Sequence, residues 1–121
     1  RSNKFIYAQL IDDSIGKMSD LMKEFGRPFG HRLGGAIKSY VSNYPETDGM
    51  DRIRVALADQ VEMRLLPKLR GVDVDDYAGQ FGQLQNFVQS ELNDTKLSDA
   101  IERSVEMSQQ NRQFTWTGVT R

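Results

Sequence analysis

The chain has 121 residues, about the size of one domain, and 38% of them are hydrophobic and 27% charged. Sixteen basic residues against 17 acidic ones give a net charge of −1, which argues against a dedicated nucleic-acid binder. The absence of cysteine excludes disulfides and thiolate chemistry. No apolar run approaches the roughly 20 residues that span a membrane, and no signal peptide is evident, so we expect a cytoplasmic protein. The chain does not begin with methionine, and we expect it to be part of a longer one.

The first predicted element is a long amphipathic helix over residues 3–25. Its apolar residues recur at steps of four and three, which places them on one helical face. This face consists of Ile11, Ile15, Met18, Met22 and Phe25. Gly26 and Pro28 are typical of the end of a helix, so the chain should turn there.

A second helix is expected to begin at Phe29-Gly30-His31-Arg32 and to end at Pro45. Its predicted inner face consists of Leu33, Ile37, Tyr40, Val41 and Tyr44. Gly34 and Gly35 in its first turn each cost about 1 kcal/mol relative to alanine. Such a cost is usually tolerated either for close packing or for the approach of a ligand.

The most apolar stretch, Ala56–Gly71, predicts a buried central helix that begins near Asp51 after a polar loop at 46–49. Four apolar residues recur every fourth position and form one stripe. They are Ile53, Leu57, Val61 and Leu65. Pro67 lacks a backbone N–H and clashes with the preceding turn, so we expect the helix to end near Leu66.

Two more helices and an extended tail complete the predicted fold. A helix over residues 77–92 buries Tyr77, Phe81, Leu84 and Val88, and Asp73 or Asp75 is positioned to cap it. A helix over residues 96–111 follows a turn at 93–95 and buries Leu97, Ile101, Val105 and Ser108. The tail at 114–119 alternates like an extended segment. The sequence therefore predicts an all-α fold, a compact bundle of about five helices in a single domain over residues 1–121.

Few residues offer the chemistry of a catalytic or metal site. The single histidine, His31, and the lack of cysteine argue against a zinc site. The two glycine-bearing stretches lack the Lys-Ser/Thr ending of a phosphate-binding P-loop. The aspartate clusters at 12–13 and 73–76 do not have the spacing of an EF-hand loop, and we interpret them as solvated caps and turns. We therefore predict no catalytic residue and no metal ligand.

Arg32 is the leading candidate for a binding role. It stands at the start of a helix, just after a glycine and a turn-forming proline. A planar, permanently charged guanidinium in that position can reach a phosphate. The alternative is a surface arginine that pairs with a nearby carboxylate.

Two other groups of residues leave alternatives open. Arg64, Lys68 and Arg70 surround the end of the central helix, where positive charge complements the helix dipole, but they could also contact phosphate or DNA. Phe114 and Trp116 could close the small core or offer a surface on which bases stack.

Three segments of the chain form an ordered set: FGHR at Phe29–Arg32, ALADQVEMRLLPKLRG at Ala56–Gly71, and Leu97–Thr117, which contains IER and ends in FTWT. This set resembles the C-terminal helical lid of AAA+ ATPases, close to the McrB-type GTPase of methylation-dependent restriction. The resemblance covers most of residues 25–117. The chain departs from the family pattern at Asp59, which stands two places after Leu57 instead of directly after it, and in its tail, which reads QFTWTG in place of GFTSFW.

The resemblance implies a specific role in nucleotide hydrolysis. A core domain absent from these 121 residues would bind ATP or GTP with Mg, and this lid would close over the nucleotide. Arg32 would occupy the sensor 2 position, with Gly30 and His31 beside it as nucleotide-binding residues. Its charge would stabilise the transferring phosphoryl group. The lid would then rotate as a rigid unit against the neighbouring subunit of an oligomer, in a system such as DNA restriction, and this chain alone would have no activity.

Two other hypotheses do not involve a nucleotide. A stand-alone helical protein–protein interaction module without catalytic activity fits the apolar bundle and the near-zero net charge equally well. Direct DNA binding is weaker, because it would rest on five cations in a chain of net charge −1. Those cations are Arg52, Arg54, Arg64, Lys68 and Arg70.

Overall fold

The computed structural model describes the backbone of residues 2–44 and 49–120 and the side chains from residue 5 onward. In these ranges the chain folds as an all-α bundle. Five α-helices occur in the described ranges, which confirms the predicted fold class. They are α1 (Ser2–Glu24), α2 (His31–Ser42), α3 (Met50–Gln60), α4 (Ala78–Asn86) and α5 (Thr95–Met107). Pro45 and the predicted loop at 46–48 lie outside the described residues. No helix in the described part of the chain is long and apolar enough to cross a membrane.

One hydrophobic core is shared by all five helices. The inner faces predicted from periodicity lie in it, and their partly exposed members lie at its edge. The buried members include Ile11, Met18, Met22, Phe25, Ile37, Leu57, Val61, Leu65, Phe81, Leu84, Leu97 and Ile101. Each such side chain contributes about 1.5–3 kcal/mol when it is fully removed from water. The core thus holds the helices as one body.

The central helix ends differently from the prediction. Its α-helical part stops at Gln60, after which Val61–Leu65 form a wider π-helical turn and Leu66–Leu69 a 3-10 turn that contains Pro67. The Leu66 N–H donates to the carbonyl of Val61, five residues back. This change of spacing lets the helical path continue through a proline that has no N–H to donate. The expected end near Leu66 is therefore wrong for the α-helix, and Pro67 lies within the helical path.

An aspartate caps α5 but not α4, whose N-cap is Tyr77 without a side-chain cap, so the predicted cap of α4 by Asp73 or Asp75 is wrong. Asp73 Oδ1 accepts the N–H groups of Asp75 and Asp76 at 2.9 Å each, so Asp73 stabilises the turn that leads into α4. Asp94 caps α5 through the N–H of Leu97 at 2.9 Å, as the turn at 93–95 predicts. α5 ends at Met107, short of the predicted Asn111, because the chain turns back at Arg112, where φ is +66°.

Residues 114–119 of the tail have no regular secondary structure, and the tail lies against the turn that follows the 3-10 helix, with an isolated bridge between Asp73 and Gln113. The Phe114 N–H donates to the Val72 carbonyl at 2.9 Å, and the Gly71 N–H donates to the Phe114 carbonyl at 2.9 Å. The Phe114 side chain is fully buried, with its ring 4.8 Å from that of Phe81. The packing role of Phe114 is confirmed, and the tail closes one end of the core.

Candidate functional site

The candidate site lies at the start of α2, where the sequence places Gly30, His31 and Arg32. The chain leaves α1 at Gly26, where φ is +72°, through bonds from the Gly26 N–H to the Lys23 carbonyl and from the Arg27 N–H to the Met22 carbonyl. This pattern is a Schellman motif, in which glycine adopts the left-handed conformation at low cost. The predicted stop at Gly26 is confirmed, and the short segment 27–30 then leads into α2.

Arg27 anchors this segment to the rest of the molecule. Its Nη1 donates to the carbonyls of Lys68 at 2.5 Å and Arg70 at 3.1 Å, at the end of the 3-10 turn. A cation at a helix C-terminus stabilises carbonyl groups that have no partner within the helix. The sequence places three cations at residues 64–70, at the end of the central helix, but the cation that binds these carbonyls is Arg27. The available signal was the position of this arginine between the helix stop at Gly26 and Pro28.

Arg32 and His31 are exposed on the first turn of α2. Arg32 makes no hydrogen bond or ion pair with any residue whose side chain the structure describes, so no described carboxylate pairs with it as the alternative required. The N-cap of α2 is Gly30, with φ −94° and ψ −170°, and it has no side chain to accept from the first-turn N–H groups. The start of α2 therefore presents backbone donors and a guanidinium to solvent.

A cavity of about 560 Å³ adjoins this helix start. Gly30, His31, Gly34 and Gly35 line one side of it, and α1 lines the other. A Cβ added at Gly35 would meet nothing within 4 Å, and one at Gly34 would lie 3.8 Å from the Phe29 ring, an ordinary contact. Close packing therefore does not explain the two glycines. The approach of a ligand stays a prediction that their place on the cavity wall favours.

The lining of this cavity is mixed in charge. Lys23 and Lys38 contribute ammonium groups, and Lys38 is paired with Asp12 at 3.0 Å. Arg32 is not among the lining residues, so Gly30 and His31 share the cavity while Arg32 lies on the neighbouring surface.

The arrangement fits an anion better than a metal ion. A helix start with uncapped N–H groups and nearby cations favours phosphate. No group of three His, Asp or Glu residues among the described side chains could hold a metal. The described side chains thus offer a place for an anion but no set of metal ligands.

Of the other cations considered for phosphate or DNA, Arg64 and Arg54 have local partners, whereas Lys68 and Arg70 are in contact through their backbone carbonyls. Arg64 Nε donates to Gln60 Oε1 at 2.8 Å, and Arg54 pairs with Asp51 at 3.2 Å. The carbonyls of Lys68 and Arg70 hold Arg27.

Asp59 and Trp116, which the sequence analysis singled out by position and by type, also have observable surroundings. Asp59 accepts a hydrogen bond from the Tyr40 hydroxyl at 3.3 Å, and burial followed by the charge of Asp59 raises the pKa of Tyr40. Trp116 is half-buried beside Leu66, Pro67 and Arg70, around a cavity of about 350 Å³. Asp59 thus links α2 to α3, and base stacking on Trp116 stays a prediction.

Comparison with curated proteins and comparison with solved structures each gave no match. A family model described as "Domain of unknown function (DUF8727)" matches residues 4–114 of the 121. The matched region runs from the first turns of α1 through Arg27 and Arg32 to the buried Phe114. The chain belongs to this family, Domain of unknown function (DUF8727).

Proposed function

We propose that this domain is the lid of a P-loop AAA+ NTPase, which closes over ATP or GTP and couples hydrolysis to the motion of subunits. The observation that carries the proposal is a set of contacts that joins the second resembling segment to the third and to Arg27, two residues before the first. Arg27, just before the first segment, binds the Lys68 and Arg70 carbonyls of the second. Gly71, at the end of the second, pairs through its N–H with the Phe114 carbonyl of the third at 2.9 Å.

A lid that transmits motion has to move as one body, and the contacts of Arg27 and Gly71 support such rigidity. The buried Ile37 and Val41 fix α2 to the core, so a force on its first turn reaches the whole bundle. The tail contributes the fully buried side chain of Phe114, which packs in the core against Phe81. Arg32 thus stands on a rigid element, as a group that senses a phosphate needs to.

The proposed chemistry assigns Arg32 to charge stabilisation. Its guanidinium has no partner among the described side chains, so binding a phosphate would break no existing ion pair. The first-turn N–H groups after Gly30 add partial positive charge, and His31 lies beside them. In the transition state of phosphoryl transfer, charge spreads over the equatorial oxygens, where a preorganised arginine is most effective.

The domain contributes no other part of the reaction. The P-loop, the Mg ligands and the residue that positions water belong to a core domain, on the same protein or on a partner chain. Its partners in this proposal are that core and the neighbouring subunits of a cytoplasmic oligomer, with a DNA-restriction or defence system as the setting.

The complete gene product and the genes beside it provide the direct test. We expect a Gly-rich loop that ends in Gly-Lys-Ser or Gly-Lys-Thr after a strand, followed by an acidic strand. Co-expression should yield a complex that hydrolyses ATP or GTP. If neither the complete protein nor a co-purifying partner contains such a loop, the proposal fails.

An interaction module without a nucleotide is the second candidate, because α1 exposes large apolar side chains. Phe5 is 70% and Ile6 46% exposed, side by side near the start of α1. Exposed apolar neighbours of this kind mark contact surfaces in many proteins. Light scattering distinguishes this candidate, since it predicts an oligomer that Phe5→Ser/Ile6→Ser converts to a monomer. A wild-type monomer that binds no partner would contradict it.

A further inference from the structure

A second cavity, away from the start of α2, lies where α1, α2 and α3 meet. Its volume is about 390 Å³, within the range of sites that take small molecules. Ile11, Val41 and Ile53 form its apolar walls, and Tyr7 and Arg52 bring polar groups to it. A cavity with apolar walls and few polar groups selects a ligand that has an apolar body and one polar end.

Arg52 is the unusual member of this lining. Its guanidinium carbon lies 5.9 Å from the centre of the Tyr44 ring, a cation–π contact. Its Nε is buried and has no hydrogen-bond partner. The arginines elsewhere in the described helices and loops often have an oxygen to bind, as Arg54 has Asp51 and Arg64 has Gln60. A buried donor without an acceptor is unfavourable, and an incoming acceptor recovers that free energy.

Tyr7 brings a second donor to the same cavity. Its ring packs against Gly49, where φ is +72° and where an added Cβ would collide with the Tyr7 hydroxyl group. The hydroxyl makes no hydrogen bond to any described residue. Tyr44 differs, because its hydroxyl faces the Asp59 carboxylate, and burial and then the charge of Asp59 raise the pKa of Tyr44. Tyr7 and Arg52 are thus two donors of the lining whose side chains have no acceptor among the described residues.

The charge of the lining matches a single negative charge. Lys38 stands in the lining but is neutralised by Asp12 at 3.0 Å. Arg52 therefore leaves an excess of one positive charge among the described residues of the cavity. A monoanion would balance this charge, whereas a triphosphate would exceed it and would gain little from apolar walls.

We propose that this cavity binds a small carboxylate with an apolar body, whose carboxylate accepts from Arg52 and from the Tyr7 hydroxyl. The planar guanidinium matches a carboxylate in shape and charge, and the hydrogen bonds to it are charge-assisted. The apolar body occupies the space between Ile11, Val41 and Ile53. This site is separate from the start of α2 and does not depend on the nucleotide proposal.

The test uses 3-phenylpropionate as the probe and its neutral amide, 3-phenylpropanamide, as the matched control. Binding is followed by ¹H–¹⁵N NMR shifts of the full chain. We expect shifts at Tyr7, Val41 and Ile53. The affinity for the amide should be at least about tenfold lower than that for the acid, because a hydrogen bond to a charged group is lost. Inorganic phosphate should leave these resonances unchanged.

Three variants assign the contacts. Arg52→Met should weaken acid binding about tenfold or more, and Tyr7→Phe should weaken it a few-fold. Arg54→Met is the matched control, because Arg54 lies on the same helix and does not line the cavity, so it should bind like wild type. Arg52→Met should keep a melting temperature close to that of wild type, because the Arg52 side chain makes no hydrogen bond to a described residue and the substitution removes only its cation–π contact with Tyr44.

A further variant, Glu46→Gln/Asp48→Asn, removes the two carboxylates in the sequence between Tyr44 and Gly49. The proposal is supported if wild type or this variant binds the probe and if Arg52→Met abolishes that binding. Equal binding of acid and amide, wild-type affinity in Arg52→Met, or no binding by either protein would overturn it.

Discussion

Arg27 binds the backbone of Lys68, with its Nη1 2.5 Å from the Lys68 carbonyl oxygen. The same nitrogen lies 3.1 Å from the carbonyl oxygen of Arg70. One side chain from the segment before α2 thus closes the end of the 3-10 turn, more than 40 residues later in the chain. The contact sets where the start of α2, and with it Arg32, lies relative to the central helix.

The first prediction concerns this contact. Arg27→Ala should lower the free energy of unfolding by about 1–2 kcal/mol, because two carbonyls lose a charged donor. Urea unfolding followed by circular dichroism measures it. Arg103→Ala is the control, since Arg103 is exposed on α5, and it should stay within about 0.5 kcal/mol of wild type. Equal effects of the two substitutions would show that Arg27 does not stabilise the end of the 3-10 turn.

The second prediction concerns the buried end of the tail. Phe114→Ala should cost about 3–5 kcal/mol, because it leaves a cavity against Phe81 and loosens the paired backbone at Val72. Phe114→Leu should cost less, since it keeps most of the volume. Thermal unfolding of the three proteins gives the order. A Phe114→Ala protein as stable as wild type would mean that the tail does not close the core.

The third prediction concerns the pH dependence of the contact between Arg112 and Asp73. The N–H of Asp76, then the Arg112 guanidinium and the N–H of Asp75, lower the pKa of Asp73 below its ordinary 3.8. Because the folded pKa is depressed, the stabilisation is present above 3.8 and is lost as the pH falls through the folded pKa. Arg112→Ala should move the Asp73 pKa partway back, as measured by NMR titration. An unchanged Asp73 titration in that variant would contradict the assignment.

Periodicity was sufficient to predict the helices and their inner faces. Ile53, Leu57, Val61 and Leu65 are all buried, as four-residue spacing requires of one helical face. Local signals also predicted the turn at Gly26 and the cap at Asp94, because each acts within a few residues.

Contacts between distant segments could not be predicted from such signals. Arg27 and Lys68 are 41 residues apart, and no local pattern specifies that pair. The π-helical turn before Pro67 also depends on the packing of Leu65 and Leu66 in the core, which a propensity rule does not include. The candidate site was predicted as a helix start with an exposed arginine, whereas the adjoining cavity and its α1 wall follow from tertiary packing.

The fourth prediction compares two glycines. Gly49→Ala should destabilise the fold, because φ is +72° and an added Cβ would collide with Tyr7. Gly35→Ala should raise the stability by up to about 1 kcal/mol, since it lies in a helix with nothing within 4 Å of the new Cβ. Thermal melts of both variants test this pair. A stabilised Gly49→Ala would show that the contact between Tyr7 and Gly49 does not constrain the backbone there.

The most direct measurement of the central claim is nucleotide turnover with Arg32 replaced. In the complete NTPase assembly, Arg32→Ala should lower the turnover of ATP or GTP at least about tenfold, as loss of a charged contact in the transition state predicts. Arg103→Ala should turn over like wild type, and both variants should melt like wild type. Unchanged turnover in a folded Arg32→Ala assembly would contradict the role assigned to Arg32 and to the start of α2.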